Sequence, residues 1–225
     1  MPPLKSTLAV LITSLLLLTG ASAIALEEAT AAAQVRGRLL FAPLIKGDFS
    51  QQRQLSAIDK PLASAGRFIF WRDHGLYWET QKPFYQGTTY LAEQVLSWHR
   101  PGVPSPETGI NSRIQLALGK VLVNIFNFDN ALEEQFDIHW QPDEDLWQVE
   151  LVPIDKHIKQ VLQKITLQGK QQVEQITLLD NSGQRTVIAL SAVVRKQQPN
   201  QSQCLLFYAL ASGACSPPVK VANDQ

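Results

Sequence analysis

The side chains able to do chemistry are few in this chain, and they stand apart. Its four histidines, His74, His99, His139 and His157, fall in separate segments, and none pairs with another at the i, i+4 spacing of a helical metal site. Two cysteines, Cys204 and Cys215, cannot build a zinc site by themselves. A G-x-S-x-G elbow, an H-E-x-x-H helix and paired carboxylates in an apolar setting are all absent, so an exported hydrolase finds no motif to stand on. Asp137 and His139 come nearest to an acid–base pair, but period two sets them opposite Phe136, Ile138 and Trp140, on a solvent face. The expectation is a protein without metal, cofactor or catalysis.

Binding is the chemistry that remains, and Arg72 is its most informative polar group. It follows Phe68 and Phe70 at period two, so all three project from one face of a strand. On the next strand Leu76 and Trp78 share a face, and Phe49 alternates with polar neighbours on an earlier one. If those faces enclose an apolar hollow, a guanidinium entering it needs acceptors or carries a large desolvation cost. The plainer alternatives are a solvated Arg72, or one paired with Glu79 across the hairpin.

The elements that would position these residues follow from hydrophobic period. Leu26 to about Phe41 has Ala32, Val35, Leu39 and Leu40 near helical spacing. Alternation then begins at Ile45 and runs to Leu55. Pro61 to Gly66 reads as a turn before the aromatic strand Arg67 to Arg72, and Asp73-His74-Gly75 as a hairpin turn. Lys82-Pro83 is a stop, followed by strands in Phe84 to Leu91 and Gln94 to His99. Three prolines and two glycines between Arg100 and Gly109 mark a loop. Ile110 to Phe126 is an amphipathic helix whose stripe holds Ile114, Leu118, Val121, Leu122 and Ile125, interrupted by Gly119. Asn130 with Glu133 forms a capping-box pattern for a short helix through Phe136. Strands return in Phe136 to Trp140 and Trp147 to Leu151. One or two helical turns fall within Pro153 to Leu162, and Ile165 to Val194 forms a last meander. About ten antiparallel strands with a helical insertion imply a mainly β, α+β fold. Its curved antiparallel sheet forms an incomplete β-barrel, the helices covering an apolar cavity as a lid.

At the start, Lys5, the largely apolar run Leu8 to Leu18 and small residues around Ala23 and Ala25 compose a cleavable secretory signal, cut after Ala23 or Ala25. The run is shorter than the roughly 20 residues a membrane span needs. We therefore expect a signal peptide over 1–23 and one domain over 26–225, with the lid inserted at about 105–136, exported to the periplasm. There Cys204 and Cys215, with no other thiol to bond, are expected to join as a structural disulfide. Twenty basic against twenty acidic side chains leave no net charge, which removes the electrostatic basis for nucleic-acid binding. An adaptor protein of the envelope is the third class, since an interface core uses Trp and Phe as a cavity does.

Three stretches carry a family resemblance: Gly47-Asp48-Phe49-Ser50-Gln51, then Lys60 to Phe68 with its P-L-x-S-x-G, then Arg72 to Pro83 with its G-L-x-W-x-T-x-x-P. With Leu132 to Phe136, Trp147 to Pro153 and Val173 to Thr186, they resemble LolA, the periplasmic lipoprotein carriers, in a divergent branch. The resemblance covers most of residues 44 to 190. It implies a half-open β-barrel with a helical lid and a cavity for the acyl chains of lipoprotein cargo, without catalysis. An inner-membrane transporter would be the donor and an outer-membrane protein the acceptor; a non-protein acyl lipid or glycolipid is the alternative cargo, and a monomer is expected. By position the resemblance makes Arg72 the lid latch, hydrogen-bonded to lid backbone, although Asp73 stands where the family has Pro.

Overall fold

The computed structural model describes residues 19–55, 59–99, 104–106 and 110–207, with the side chains of 19–25, 104, 106 and 110–114 left aside. The chain forms helix α1 (Thr19–Arg38), strands β1 (Leu44–Gln54), β2 (Leu62–Trp71), β3 (Gly75–Lys82), β4 (Gln86–Tyr90), β5 (Val95–Trp98) and β6 (Pro104–Pro106), then helix α2 (Ile110–Asn127). Strands β7 (Phe136–Gln141), β8 (Trp147–Pro153), β9 (Leu162–Gly169), β10 (Val173–Asp180) and β11 (Arg185–Lys196) follow, and helix α3 (Gln201–Leu205) comes last.

The strands make one antiparallel sheet in the order β6-β5-β4-β3-β2-β1-β11-β10-β9-β8-β7. Each half is a meander, and the halves join where β1 pairs β11. The sheet curves without closing, since β6 and β7 stand at opposite margins. The connection from β6 to β7 must return across the open side, and α2 lies in that connection. Topology alone therefore makes this helix the cover of the inner face.

Four local expectations are corrected. Residues 62–66 are strand, not turn, because the long polar arm of β1 offers them partners: Gln51 pairs with Ser64 and Gln52 with Ala63. Gly66 is needed there, since a Cβ on it would stand 1.8 Å from the Glu79 carbonyl oxygen. Within the proline-rich segment expected as loop, Pro104–Pro106 pairs with β5. Two prolines lacking N–H groups suit an edge and discourage further strands from joining it. The short helix after α2 is a 3₁₀ turn, Asn130–Leu132, capped by Asp129 accepting from Ala131 N–H and not by Asn130. Finally, α1 starts earlier and stops earlier than Leu26 to Phe41: Leu39 N–H closes a tight last turn on Arg36, and Leu40 N–H then leaves for Gln171 O.

Inside the curve, alternate residues of both meanders form the main core. Ile45, Phe49, Phe68, Phe70 and Leu76 come from one half, and Trp147, Val149, Leu151, Ile165, Leu167, Ile176, Ile188 and Leu190 from the other. A second core lies on the outer face: Leu44, Ile69, Tyr77 and Trp98 are covered by Phe207, just past α3. The first half of the sheet is thus buried on both sides. Asn200 caps α3 in a reciprocal capping box with Gln203, which fixes where that cover begins.

Candidate functional site

The inner wall gathers the residues expected to line a hollow. Phe49, Phe68, Phe70 and Leu76 are buried and Trp78 is half-buried against them. Phe49 stacks on Trp78 at 4.0 Å between centroids, and Phe68 lies 6.1 Å from the same indole. Such offset stacks add about 0.5–1.5 kcal/mol each beyond area burial.

Helix α2 meets this wall with its expected stripe. Val121 and Ile125 are fully buried, Leu118 and Leu122 partly so, and the side chain of Ile114 lies outside the described residues. Phe126, one position past the expected stripe, also meets the wall: its ring is 5.1 Å from Phe68 and 5.4 Å from Phe70. The signal for it was its place four residues after Leu122, on the same helical face. Gly119, which interrupts the pattern, is where Tyr90 seats against the helix; a Cβ there would fall 2.0 Å from a Tyr90 ring carbon. Burial at this contact pushes the Tyr90 phenol up to about 12, so it stays protonated.

The hollow is shut. A cavity of about 30 Å³ remains, lined by Leu39, Phe41, Ile45, Phe68, Ile125 and Phe126 among others. That is room for a water or so, whereas ligand pockets run to about 300–1,000 Å³. A larger cleft of about 550 Å³ lies beside the helix, where Leu116, Ala117 and Lys120 of α2 face Gln135 and the turn from Asp155 to Val161.

Arg72 stands past the end of β2, at the rim. Its guanidinium carbon is 5.5 Å from the Phe41 ring centroid, its N–H donates to Pro43 O at 2.8 Å, and one terminal nitrogen is buried with no hydrogen-bond partner. Among the described residues no lid carbonyl accepts from it. Pairing with Glu79 is excluded, because that carboxylate faces the outer side.

Glu79 organises a polar cluster that the alternation pattern had left to solvent. It is 3% exposed and accepts from Tyr77 Oη at 2.5 Å, Gln81 Nε2 at 2.8 Å and Arg67 at 2.9 Å. Burial alone would raise its pKa, but these bonds outweigh it and hold the carboxyl below its ordinary value. Next to it, Trp98 Nε1 donates to Thr89 Oγ1, which donates in turn to Leu206 O, both at 2.9 Å. The α3 segment is therefore tied to the sheet by a satisfied chain of bonds. Cys204 in α3 is buried and disulfide-bonded, and its expected partner Cys215 lies outside the described residues.

The histidines form no site. His74 stacks on Trp71, and His139 sits 3.6 Å from Asp137 with both exposed. Among the described residues no group of His, Cys, Asp or Glu could hold a metal ion, and no helix is long and apolar enough to cross a membrane.

A curved, open antiparallel sheet with an aromatic inner wall under a helix is the architecture of a class of carriers and binding proteins. Residues 42–204 match the family model described as outer membrane lipoprotein carrier protein LolA, and the chain belongs to that family. Solved structures similar to it include a LolA superfamily protein from Nitrosomonas europaea, at 10% identity and a TM-score of 0.45 over 80% of this chain and 96% of that one. Another is a putative outer membrane lipoprotein-sorting protein domain from Vibrio parahaemolyticus, at 9% identity and a TM-score of 0.43 over 80% and 98%. The MucA/MucB complex of Pseudomonas aeruginosa is similar at 14% identity and a TM-score of 0.36 over 77% and 60%. No curated protein matches the chain.

Proposed function

We propose that this protein is a periplasmic carrier that takes the acyl chains of lipoproteins between the inner wall and α2 and ferries them from the inner to the outer membrane. The observation that supports this most is a large aromatic wall covered by one helix through apolar contacts alone. Val121, Ile125 and Phe126 contribute about 1.5–3 kcal/mol of burial each, and an entering chain regains roughly 0.8 kcal/mol per methylene. About six to eleven methylenes of an entering chain therefore match the helix burial that is given up, a margin from which cargo can also be released. A donor transporter and an outer-membrane acceptor complete the reading.

Solvent extraction of the protein purified from periplasm, followed by mass spectrometry, tests it. Co-purified acylated peptide is the expected result. Free lipid or glycolipid would shift the cargo to the alternative class, and an empty extract together with no uptake of a fluorescent fatty acid would defeat the carrier reading. The same preparation should start after Ala23 or Ala25 and, through a Cys204–Cys215 bond, resist thiol labelling until reduced. Closing so short a loop is worth about 2–3 kcal/mol.

A further inference from the structure

Leu40 and Phe41, between α1 and β1, are each 48% exposed although both are large and apolar. The backbone holds them there. Leu40 N–H donates to Gln171 O at 2.8 Å, Arg195 Nε to Leu40 O at 3.0 Å, and Arg72 N–H to Pro43 O at 2.8 Å, so three separate parts of the sheet pin this loop.

Four cations lie around the pair. Arg38 donates to the carbonyl oxygens of Asp143 and Glu144, Arg195 also to Gln172 Oε1 at 2.7 Å, Arg72 stands over the Phe41 ring, and Lys170 is exposed beside Gln171. Their partners are carbonyls, an amide and a ring, and among the described residues none of the four forms an ion pair. The acids in the turns at this end of the sheet are Asp73, in the β2–β3 turn, Glu93, in the β4–β5 turn, and Asp143, Glu144 and Asp145, in the β7–β8 turn. Given the strand order, the row of turns is basic at its centre, where Leu40 and Phe41 stand, and carries its acids toward the margins, Glu93 on one side and Asp143, Glu144 and Asp145 on the other.

The geometry points to this end as a docking face for a bilayer that bears anionic headgroups. Leu40 and Phe41 enter the boundary between headgroups and acyl chains, and the unpaired cations meet the phosphates. Both side chains also line the interior cavity, so a docked molecule presents its hollow to the bilayer. The purpose of docking rests on the carrier reading; its occurrence does not.

Flotation of the mature chain with vesicles of phosphatidylethanolamine and phosphatidylglycerol, against phosphatidylcholine alone, tests the inference. Binding to the anionic vesicles is expected, weakening as salt rises. Lys170→Gln should lower it about fivefold, the effect of one cation near such a surface. Phe41→Ser should lower it at least as much, while Phe84→Ser, 81% exposed in the β3–β4 turn at the opposite end, should leave it unchanged. No binding to anionic vesicles, equal binding to phosphatidylcholine, or a Phe84→Ser loss matching that of Phe41→Ser would overturn the docking face. Should Phe41→Ser fold poorly, the exposed Lys170 carries the test alone. Uptake of a fluorescent fatty acid from solution separates the two readings, because Lys170→Gln leaves it intact. Vesicle binding without fatty-acid uptake defeats the carrier and keeps the docking face; uptake without vesicle binding does the reverse.

Discussion

Along β3, Leu76 and Trp78 face inward while Tyr77, Glu79 and Gln81 face outward, and each set is covered by a segment far away in the sequence. Within, α2 lays Val121, Ile125 and Phe126 on rings that contact it without a directional bond. Outside, the α3 segment is held by the Trp98–Thr89–Leu206 chain beside the Glu79 cluster. An apolar cover can leave if another apolar surface replaces it. A hydrogen-bonded cover cannot, because its departure strands buried donors and acceptors at about 1–3 kcal/mol apiece. On the carrier reading proposed above, the same strand therefore has one exchangeable face and one fixed face.

The sharpest way to break this contrast is to truncate one aromatic on each side. Trp98→Ala and Phe126→Ala should each cost about 3–5 kcal/mol in denaturant unfolding. An acyl ligand should recover a good part of the Phe126→Ala loss by filling the space left, and none of the Trp98→Ala loss. Equal recovery on both sides would mean that the outer cover exchanges as well.

Glu79→Gln tests the fixed face through its charge. The variant keeps the shape but takes the carboxylate from Arg67 and Tyr77, a loss of about 1–3 kcal/mol at neutral pH. The folded pKa of Glu79 is depressed, so its stabilisation is complete above the ordinary glutamate value of 4.5 and fades as pH falls through the lower folded value. Stability curves of wild type and variant should therefore run apart near neutrality and converge in acid. Asp155 and Asp180 are also depressed, the first mainly by the Ile158 N–H and the second by Ser182, but both carboxyls persist in the variant and drop out of the difference. Parallel curves down to pH 3 would show that the cluster does not depend on ionised Glu79.

On the exchangeable face, Gly119→Ala sets two effects against each other. Alanine favours the helix by about 1 kcal/mol, while the Tyr90 ring, 2.0 Å from the new Cβ, opposes the seated position at a cost of about 1–3 kcal/mol. The clash should win by up to about 2 kcal/mol, and because it acts only when the helix is down, a fluorescent fatty acid should load faster. Unchanged loading with lowered stability would mean that α2 does not move.

The exchangeable face was the more legible of the two in the sequence. Period two put Phe68, Phe70, Leu76 and Trp78 on one wall, and helical period put Val121 and Ile125 on its cover, because each pattern lies within one element. The fixed face was hidden by the same alternation. Tyr77 and Glu79 look like the solvent side of a strand, and their cover arrives from Leu206 and Phe207, about 130 residues later, with no local sign of its destination. Pro61 to Gly66 misled for a related reason: its small residues carry turn chemistry, yet pairing with the long arm of β1 decided the conformation of residues 62–66. Nor could spacing separate Asp129 from Asn130 as a cap, since neighbouring residues of equal capping strength differ only in which one leaves the helical region.

Arg72 sits where the two faces meet, and its substitution should have the smallest effect. A latch bonded to lid carbonyls would be worth about 1.5–3 kcal/mol per bond, since one partner is charged, and its loss would prolong cargo retention tenfold or more. The contact present is with the Phe41 ring, worth about 0.5–1 kcal/mol, and it holds the loop at the rim and not the helix. Against that stands a buried nitrogen without a partner, whose removal is a gain. Arg72→Leu should therefore change stability by less than about 1 kcal/mol and lengthen retention of a fluorescent lipopeptide against acceptor membranes no more than about fivefold. Arg72→Lys keeps the charge over the ring and should lie closer to wild type. Retention prolonged tenfold by both variants would require that the planar fork bonds lid carbonyls in the closed state, and would move Arg72 from the rim to the lid.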